Sequence, residues 1–213
     1  NVAMMQAQQA CCEGVGNFLG KPVEAEGIED RLHAMFRNEW KLARSDQPLK
    51  RIAIVDVSPE EQYLYPEFLL FKNMMELRGI DVVVTDPSGL RLFENKLLHA
   101  SGVIDLVYNR LTDFYFEAPE HAHLLEAYVA DVAVFTPHPY AHALYANKRN
   151  LTLLSDAEKL AEWGVPQATI DILLRNVPKT VAVTAGNAET LWQDRKHWFF
   201  KPASGFGSRG AYR

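Results

Sequence analysis

Cysteine is scarce in this sequence. Two occur among 213 residues, and Cys11 and Cys12 are neighbours. Vicinal cysteines rarely close a sound disulfide, and two thiols alone cannot complete a zinc site, so neither framework is expected to organise the chain. A reducing, cytoplasmic setting is the natural expectation. Long apolar runs are missing too. Nothing approaches the roughly 20 residues that span a bilayer, and the first residues lack the basic-then-apolar pattern of an export signal. No membrane partner is expected. Positive charge is not in excess: 22 Lys and Arg stand against 27 Asp and Glu, a net charge of −5. Nucleic-acid surfaces need clustered Lys and Arg, so a broad one is excluded. No internal repeat or low-complexity stretch occurs.

What is there is an ordinary globular composition, 48% hydrophobic and 23% charged, long enough for one large or two small domains with a real core. Within an N-terminal segment, 1–49, residues 28–43 place Ile28, Leu32, Met35, Phe36 and Trp40 at helical spacing with charges opposite. This predicts an amphipathic helix packed on something larger. "IAIVDVS" (52–58) is a short apolar, β-branched run ending in polar residues, which is how a buried parallel strand reads. "SPEE" follows, with Ser58 as the expected N-cap and Pro59 at the first helical position, opening a helix that stops at Gly79. "IDVVVTDP" (80–87) is a second strand, so strand, helix and strand make a βαβ unit.

"RLFENKLLHA" (91–100) fits a β-hairpin or a short helix, and the pattern does not choose. Residues 103–110 predict a third strand, 118–130 a helix and 132–139 a fourth strand. Residues 50–140 are therefore expected to form an open, mostly parallel, Rossmann-like α/β domain. Such sheets bind ligands beyond the carboxyl ends of their strands. Those ends carry Asp56 and Ser58, Asp86, Asn109 and Arg110, and Thr136 and His138. Asn109 and Arg110 are candidates for a substrate carboxylate, because a guanidinium fork suits one; a buried ion pair is an equal reading.

Residues 141–213 change character, with a helical segment followed by a smaller α+β piece. "AHALYANKRNLTLLSDAEKLAEWGVP" reads as helical nearly throughout, and "QATIDILLRN" as another helix. Strands are predicted at 177–184 and 198–203, with a helix over 187–197 between them. The last strand, "WFFKPA", runs into "SGFGSRG". Gly205, Gly207 and Gly210 satisfy G-x-G-x-x-G, the dinucleotide fingerprint, but the context fails. That fingerprint opens a strand–helix–strand unit, and the first strand–helix turn here, "DVSPEE", contains no glycine. The histidine pairs His121/His123 and His138/His142 bring no carboxylate spacing that would complete a metal set. The aromatic cluster "DFYFEAP" reads as core or interface.

Three pieces in order carry a resemblance. "NKRNLTLLSDAEKLAEWGVP" resembles a helix that begins at a lysine and ends in a Gly-apolar-Pro turn. "WFFKP" resembles a strand with lysine just before proline, and "ASGFGSRG" a flexible glycine-rich phosphate loop. Together, over roughly 50–213, they resemble the ATP-grasp superfamily of ATP-dependent carboxylate–amine ligases, with 50–140 in the place of the pre-ATP-grasp domain. The resemblance implies that Lys148 and Lys201 reach nucleotide phosphates. Ser204 and Ser208 would donate hydroxyls, Arg209 would neutralise charge, and Gly205, Gly207 and Gly210 would let the backbone approach.

The resemblance also implies ATP and Mg²⁺ as cofactors, an acyl-phosphate intermediate, and small carboxylate and amine (or thiol) substrates. Self-association into a homo-oligomer stays open. The family's metal ligands lie in a second half with no counterpart here. The chain opens on Asn1 and its glycine loop lies close to Arg213, so the expectation is a piece of a longer ligase, inactive alone. A non-catalytic α/β binding module whose glycines only form a hairpin, and a Rossmann dinucleotide-binding protein, remain as alternatives.

Overall fold

The computed structural model describes residues 27–212, together with Gly14. It divides into two compact units between Pro139 and Tyr140. Four parallel strands build the first: β1 (Arg51–Val55), β2 (Asp81–Thr85), β6 (Leu106–Asn109) and β7 (Val134–Thr136), in the order β2-β1-β6-β7. Between β2 and β6 a small antiparallel sheet is inserted, β3 (Arg91–Phe93), β4 (Lys96–His99) and β5 (Gly102–Val103). The mixed α/β class read from the sequence is thus the fold of this unit.

β1 is central, and Ile52 to Val55 are fully buried. Strand alternation sends Ile52 and Ile54 to one face and Ala53 and Val55 to the other. On the first face they meet α1 (Ile28–Arg44) and α2 (Tyr65–Glu76) through Phe36, Trp40, Phe68 and Met75. On the second they meet α3 (Ala122–Val129) through Leu124 and Ala127, with Leu97 of the small sheet and Phe116. Three layers result, the arrangement that lets a sheet with two apolar faces leave water.

α1 lies where the apolar spacing predicts it. Glu29 and Asp30 in its first turn and Lys41 and Arg44 in its last complement the helix dipole. Only Phe36 and Trp40 of its apolar stripe are buried. Arg78 fastens one end, with Nη2 2.7 Å from Asp30 Oδ1. Arg44 fastens the other on Asp131, at 2.8 and 3.1 Å to the carboxylate.

The open alternative at 91–100 resolves as a hairpin. Glu94 and Asn95 both take left-handed backbone (φ 47° and 55°), the geometry of a two-residue turn that matches strand twist. The helix expected from Ser58 is different. Ser58 makes no side-chain cap and is itself left-handed (φ 41°); a single 3-10 turn, Pro59–Glu61, precedes α2. The expected strand over 103–110 is cut at Asp105, whose carboxylate accepts the backbone N–H groups of Lys50 and Arg51 at 2.8 Å each.

The second unit is helical: α4 (Pro139–Tyr145), α5 (Asn150–Leu154), α6 (Ala157–Glu162), α7 (Gln167–Asn176) and α8 (Ala188–Gln193). The stretch 141–166, expected to be helical nearly throughout, forms three helices with two interruptions. Asn147 turns its Oδ1 to the N–H of Arg149, and Asp156 caps α6 through the N–H of Lys159. Such side chains offer the backbone an alternative to helix. α6 stops at left-handed Gly164, and Leu160 of α6 and Ile170 of α7 are buried.

The strand expected at 177–184 does not form. Its backbone turns to side chains: Thr180 N–H donates to Ser155 Oγ at 3.1 Å, and Asn187 bridges Ala182 O and Thr184 N. The helix expected over 187–197 splits into α8 and a 3-10 turn, Arg195–His197. Of the strand expected at 198–203 there remains a single antiparallel bridge, Phe200 to Tyr212.

Candidate functional site

The glycine loop belongs to the second unit. Phe200 and Tyr212 exchange both backbone hydrogen bonds, at 2.8 and 3.0 Å, and their rings stack with centroids 5.0 Å apart. Residues 201–211 are therefore a closed loop with a pinned base. Inside it Arg209 N–H donates to Phe206 O and Ala211 N–H to Ser208 O. Gly205 (φ 118°), Gly207 (φ 60°) and Gly210 (φ 69°) hold positive φ, as does Ser208 (φ 58°). At Gly205 and Gly207 an added Cβ would meet nothing within 4 Å, so the backbone there is open to an approaching group.

Lys148 is brought to this loop from between α4 and α5. Its N–H donates to Ala203 O at 2.8 Å and its Nζ to Gly205 O at 3.0 Å. The ammonium has three donors, so two remain for a ligand. Lys201 is exposed, with Nζ 5.2 Å from the centre of the Phe199 ring, and Arg209 lies 5.0 Å over Phe206. Ser204 and Ser208 are exposed on the same loop. Two cations on the glycine-rich loop are thus joined by a third, Lys148, bonded to it from outside, and among the described residues none of the three is ion-paired to a carboxylate. Such a set is suited to a polyanion.

The residues at the carboxyl edge of the parallel sheet form a second group, in the first unit. Asn109 is 6% exposed, and its Oδ1 accepts the N–H of Leu111 at 3.1 Å. That amide oxygen shapes the chain after β6. Arg110 lies over the rings of Phe68 and Tyr108, at 5.6 and 5.4 Å, and donates from Nη1 to Tyr108 Oη at 3.3 Å. Its Nε is buried without a partner. Asp56 follows β1; burial lifts its pKa, against the Val57 N–H and the nearby Arg110 charge. Asp86 behaves oppositely. The N–H of Ser58 holds it below the usual carboxylate range, assisted by Ser88.

Asp113 and His121 were not among the sequence candidates as a pair. They meet at 2.7 Å between Oδ2 and Nδ1, and His121 is 5% exposed. Asp113 also accepts the N–H groups of Glu117 and Ala118 at 3.0 Å each. The "HAH" spelling drew attention to the histidines but hid this pairing, because His123 turns away to Pro87 O at 2.9 Å. His138 stacks on Tyr128 with centroids 5.9 Å apart. Burial depresses the pKa of His142, with a further push from Lys148.

Among the described residues no group of three or more His, Cys, Asp or Glu could hold a metal ion. The described residues thus gather cations for a polyanion on the loop but no such group for Mg²⁺. Among the described residues no helix is long and apolar enough to cross a membrane. Cys11 and Cys12 lie outside the described residues. No protein-family model matches this chain, and no curated protein is similar to it.

Proposed function

We propose that this chain binds the phosphates of ATP on the loop 203–210 and belongs to an ATP-dependent carboxylate–amine ligase. One observation carries the reading. Lys148, far from the loop in sequence, places its ammonium on the Gly205 carbonyl, beside a backbone that Gly205 and Gly207 leave open. Lys148, Lys201 and Arg209 then supply positive charge where a triphosphate would lie, and the serine hydroxyls add donors.

In the reaction proposed, a carboxylate oxygen attacks the γ-phosphorus of ATP and ADP departs, leaving an acyl phosphate. An amine then attacks the acyl carbon and gives up a proton, the amide bond forms, and phosphate leaves with the electron pair. The cations stabilise charge on the transferring phosphoryl group. Metal ions neutralise that charge in phosphoryl transfer generally, and no metal step is assigned to the residues described here. A cytoplasmic location, where ATP is abundant, fits this reading.

A second reading has its own support. The Phe200–Tyr212 closure and stacking explain the glycines as the bends of a hairpin with no ligand. Titration of the isotopically labelled chain with ATP and Mg²⁺, followed by amide shifts, separates the two. Saturable shifts at residues 203–210 are expected, and Lys201→Ala should weaken binding by about 1.5–3 kcal/mol, the worth of a charged hydrogen bond. A loop that stays silent to ATP would leave the hairpin reading in place, and preferential shifts with NAD would point to a dinucleotide protein.

A further inference from the structure

The carboxyl edge of the parallel sheet in the first unit holds an unmatched pair of charges. β2 lies on one side of β1 and β6 on the other, so the topological switch point falls between β1 and β6. Loops leaving two such strands diverge and open a crevice beyond their carboxyl ends. The last ladder pair between them is Val55 with Asn109. One residue further, Asp56 and Arg110 stand side by side.

Strand alternation continues the faces inward of them. Asp56 follows Ile52 and Ile54, and Arg110 follows Leu106 and Tyr108, so both lie on the face covered by α1 and α2. The backbone fixes both positions: Asp56 N–H donates to Thr85 O at 3.2 Å, and Arg110 N–H to Val55 O at 2.9 Å.

Among the described residues neither charge meets an opposite one. Asp56 accepts a hydrogen bond from the adjacent Val57 N–H at 2.9 Å. Arg110 has a tyrosine hydroxyl and two aromatic faces, and its buried Nε has no acceptor. Among the described residues the two form no ion pair with each other or with any third group. The Arg110 charge acts on Asp56 without an ion pair forming between them. Half-buried charges normally find partners, because desolvation without one is costly. A cation and an anion at neighbouring strand ends, neither of them ion-paired among the described residues, fit a ligand carrying both signs a few bonds apart.

We propose that this crevice binds a small zwitterion of the α-amino-acid class, its carboxylate on the Arg110 guanidinium and its ammonium on Asp56. A guanidinium fork matches a carboxylate. An arriving ammonium would also favour the charged carboxylate, offsetting the effect of burial on the Asp56 pKa. This site lies in the first unit and stands whether or not the glycine loop takes ATP.

The test is a titration of the whole labelled chain with each of the common L-amino acids at millimolar concentration, with acetate and methylammonium as single-charge controls. At least one amino acid should shift the amides of residues 56–58 and 109–111 saturably, without moving residues 203–210. Acetate and methylammonium should bind at least about tenfold more weakly. Asp56→Asn and Arg110→Lys should each weaken the best amino acid by about tenfold or more, and Asp56→Asn should not weaken the acetate response. Acetate binding as tightly as every amino acid would overturn the proposal in favour of a plain anion site, as would silence across the panel. An ATP response in the loop with no amino-acid response would sink this inference alone.

Discussion

Lys148 and Gly205, 57 residues apart in sequence, meet as ammonium donor and carbonyl acceptor at 3.0 Å. The contact, with the backbone bond from Lys148 N–H to Ala203 O, ties the turn between α4 and α5 to the glycine loop. A free glycine loop would have to lose its backbone entropy on meeting a ligand, and a tethered one has lost part of it already.

Lys148→Ala should therefore loosen the loop more than it destabilises the chain. The lost hydrogen bond is exposed, so the cost to unfolding should be no more than about 1 kcal/mol. Amide hydrogen exchange at residues 205–209 should accelerate while α6 and α7 keep their protection. Unchanged exchange in the loop would show that the backbone bond alone holds it.

Gly210→Ala should open the hairpin. Gly210 sits at φ 69°, and a Cβ there would stand 3.0 Å from Pro202 Cγ. The left-handed backbone alone costs about 1–2 kcal/mol with a side chain. Loss of the Phe200–Tyr212 ring stacking, read from the Tyr212 ring protons, is the expected signal. Gly186→Ala is the control, since its nearest neighbour would be Thr184 Oγ1 at 3.9 Å and its backbone is ordinary.

Phe36→Ala should cost about 3–5 kcal/mol, the range for truncating a buried phenylalanine. Phe36 is 2% exposed and meets Phe71 and Tyr108 edge-on, with centroids 4.9 and 5.1 Å away. Urea unfolding would measure it. Leu42→Ala, on the exposed side of the same helix, should change stability by no more than about 0.5 kcal/mol.

Asp113 and Asp56 should pull stability in opposite directions with pH. Burial pushes Asp113 up, but the Ala118 N–H, His121 and the Glu117 N–H together leave its pKa below the ordinary value. A carboxyl depressed in the fold contributes stability above its unfolded pKa, and that contribution is lost as pH falls through the folded value. Asp56 is raised, so its contribution is present in acid and lost as pH rises through the folded value. Thermal unfolding should show Asp113→Asn losing stability at neutral pH and flattening the acid limb. Asp56→Asn should unfold no earlier than wild type at neutral pH, as expected of a charge kept for a ligand. Parallel behaviour of the two variants would contradict the assignment.

Local patterns were enough to read much of the first unit. The apolar stripe around Phe36 and Trp40 predicts α1, and the β-branched runs within 52–58 and 80–87 predict two buried parallel strands, because burial on both faces demands continuous apolar sequence. The edge residues Asp56, Asn109 and Arg110 could be named for the same reason, since each ends such a run. The second unit was harder to read. "TVAVT" at 180–184 has the composition of a strand, yet a strand needs a neighbour, and Ser155 and Asn187 satisfy its backbone first. Asn147 and Asp156 interrupt a helix whose average propensity is favourable.

By itself the sequence determined which segments had to leave water, and therefore the α/β class and the chemistry available at each strand end. Tertiary structure alone decided the meetings: Lys148 with Gly205, Asp113 with His121, and Asp56 beside Arg110 across the switch point. The hydrophobic effect is non-directional and tells a segment only to be buried. Which two strands pair, and which distant side chains then share an edge, is set by the order β2-β1-β6-β7, a property of the whole sheet that no single stretch encodes.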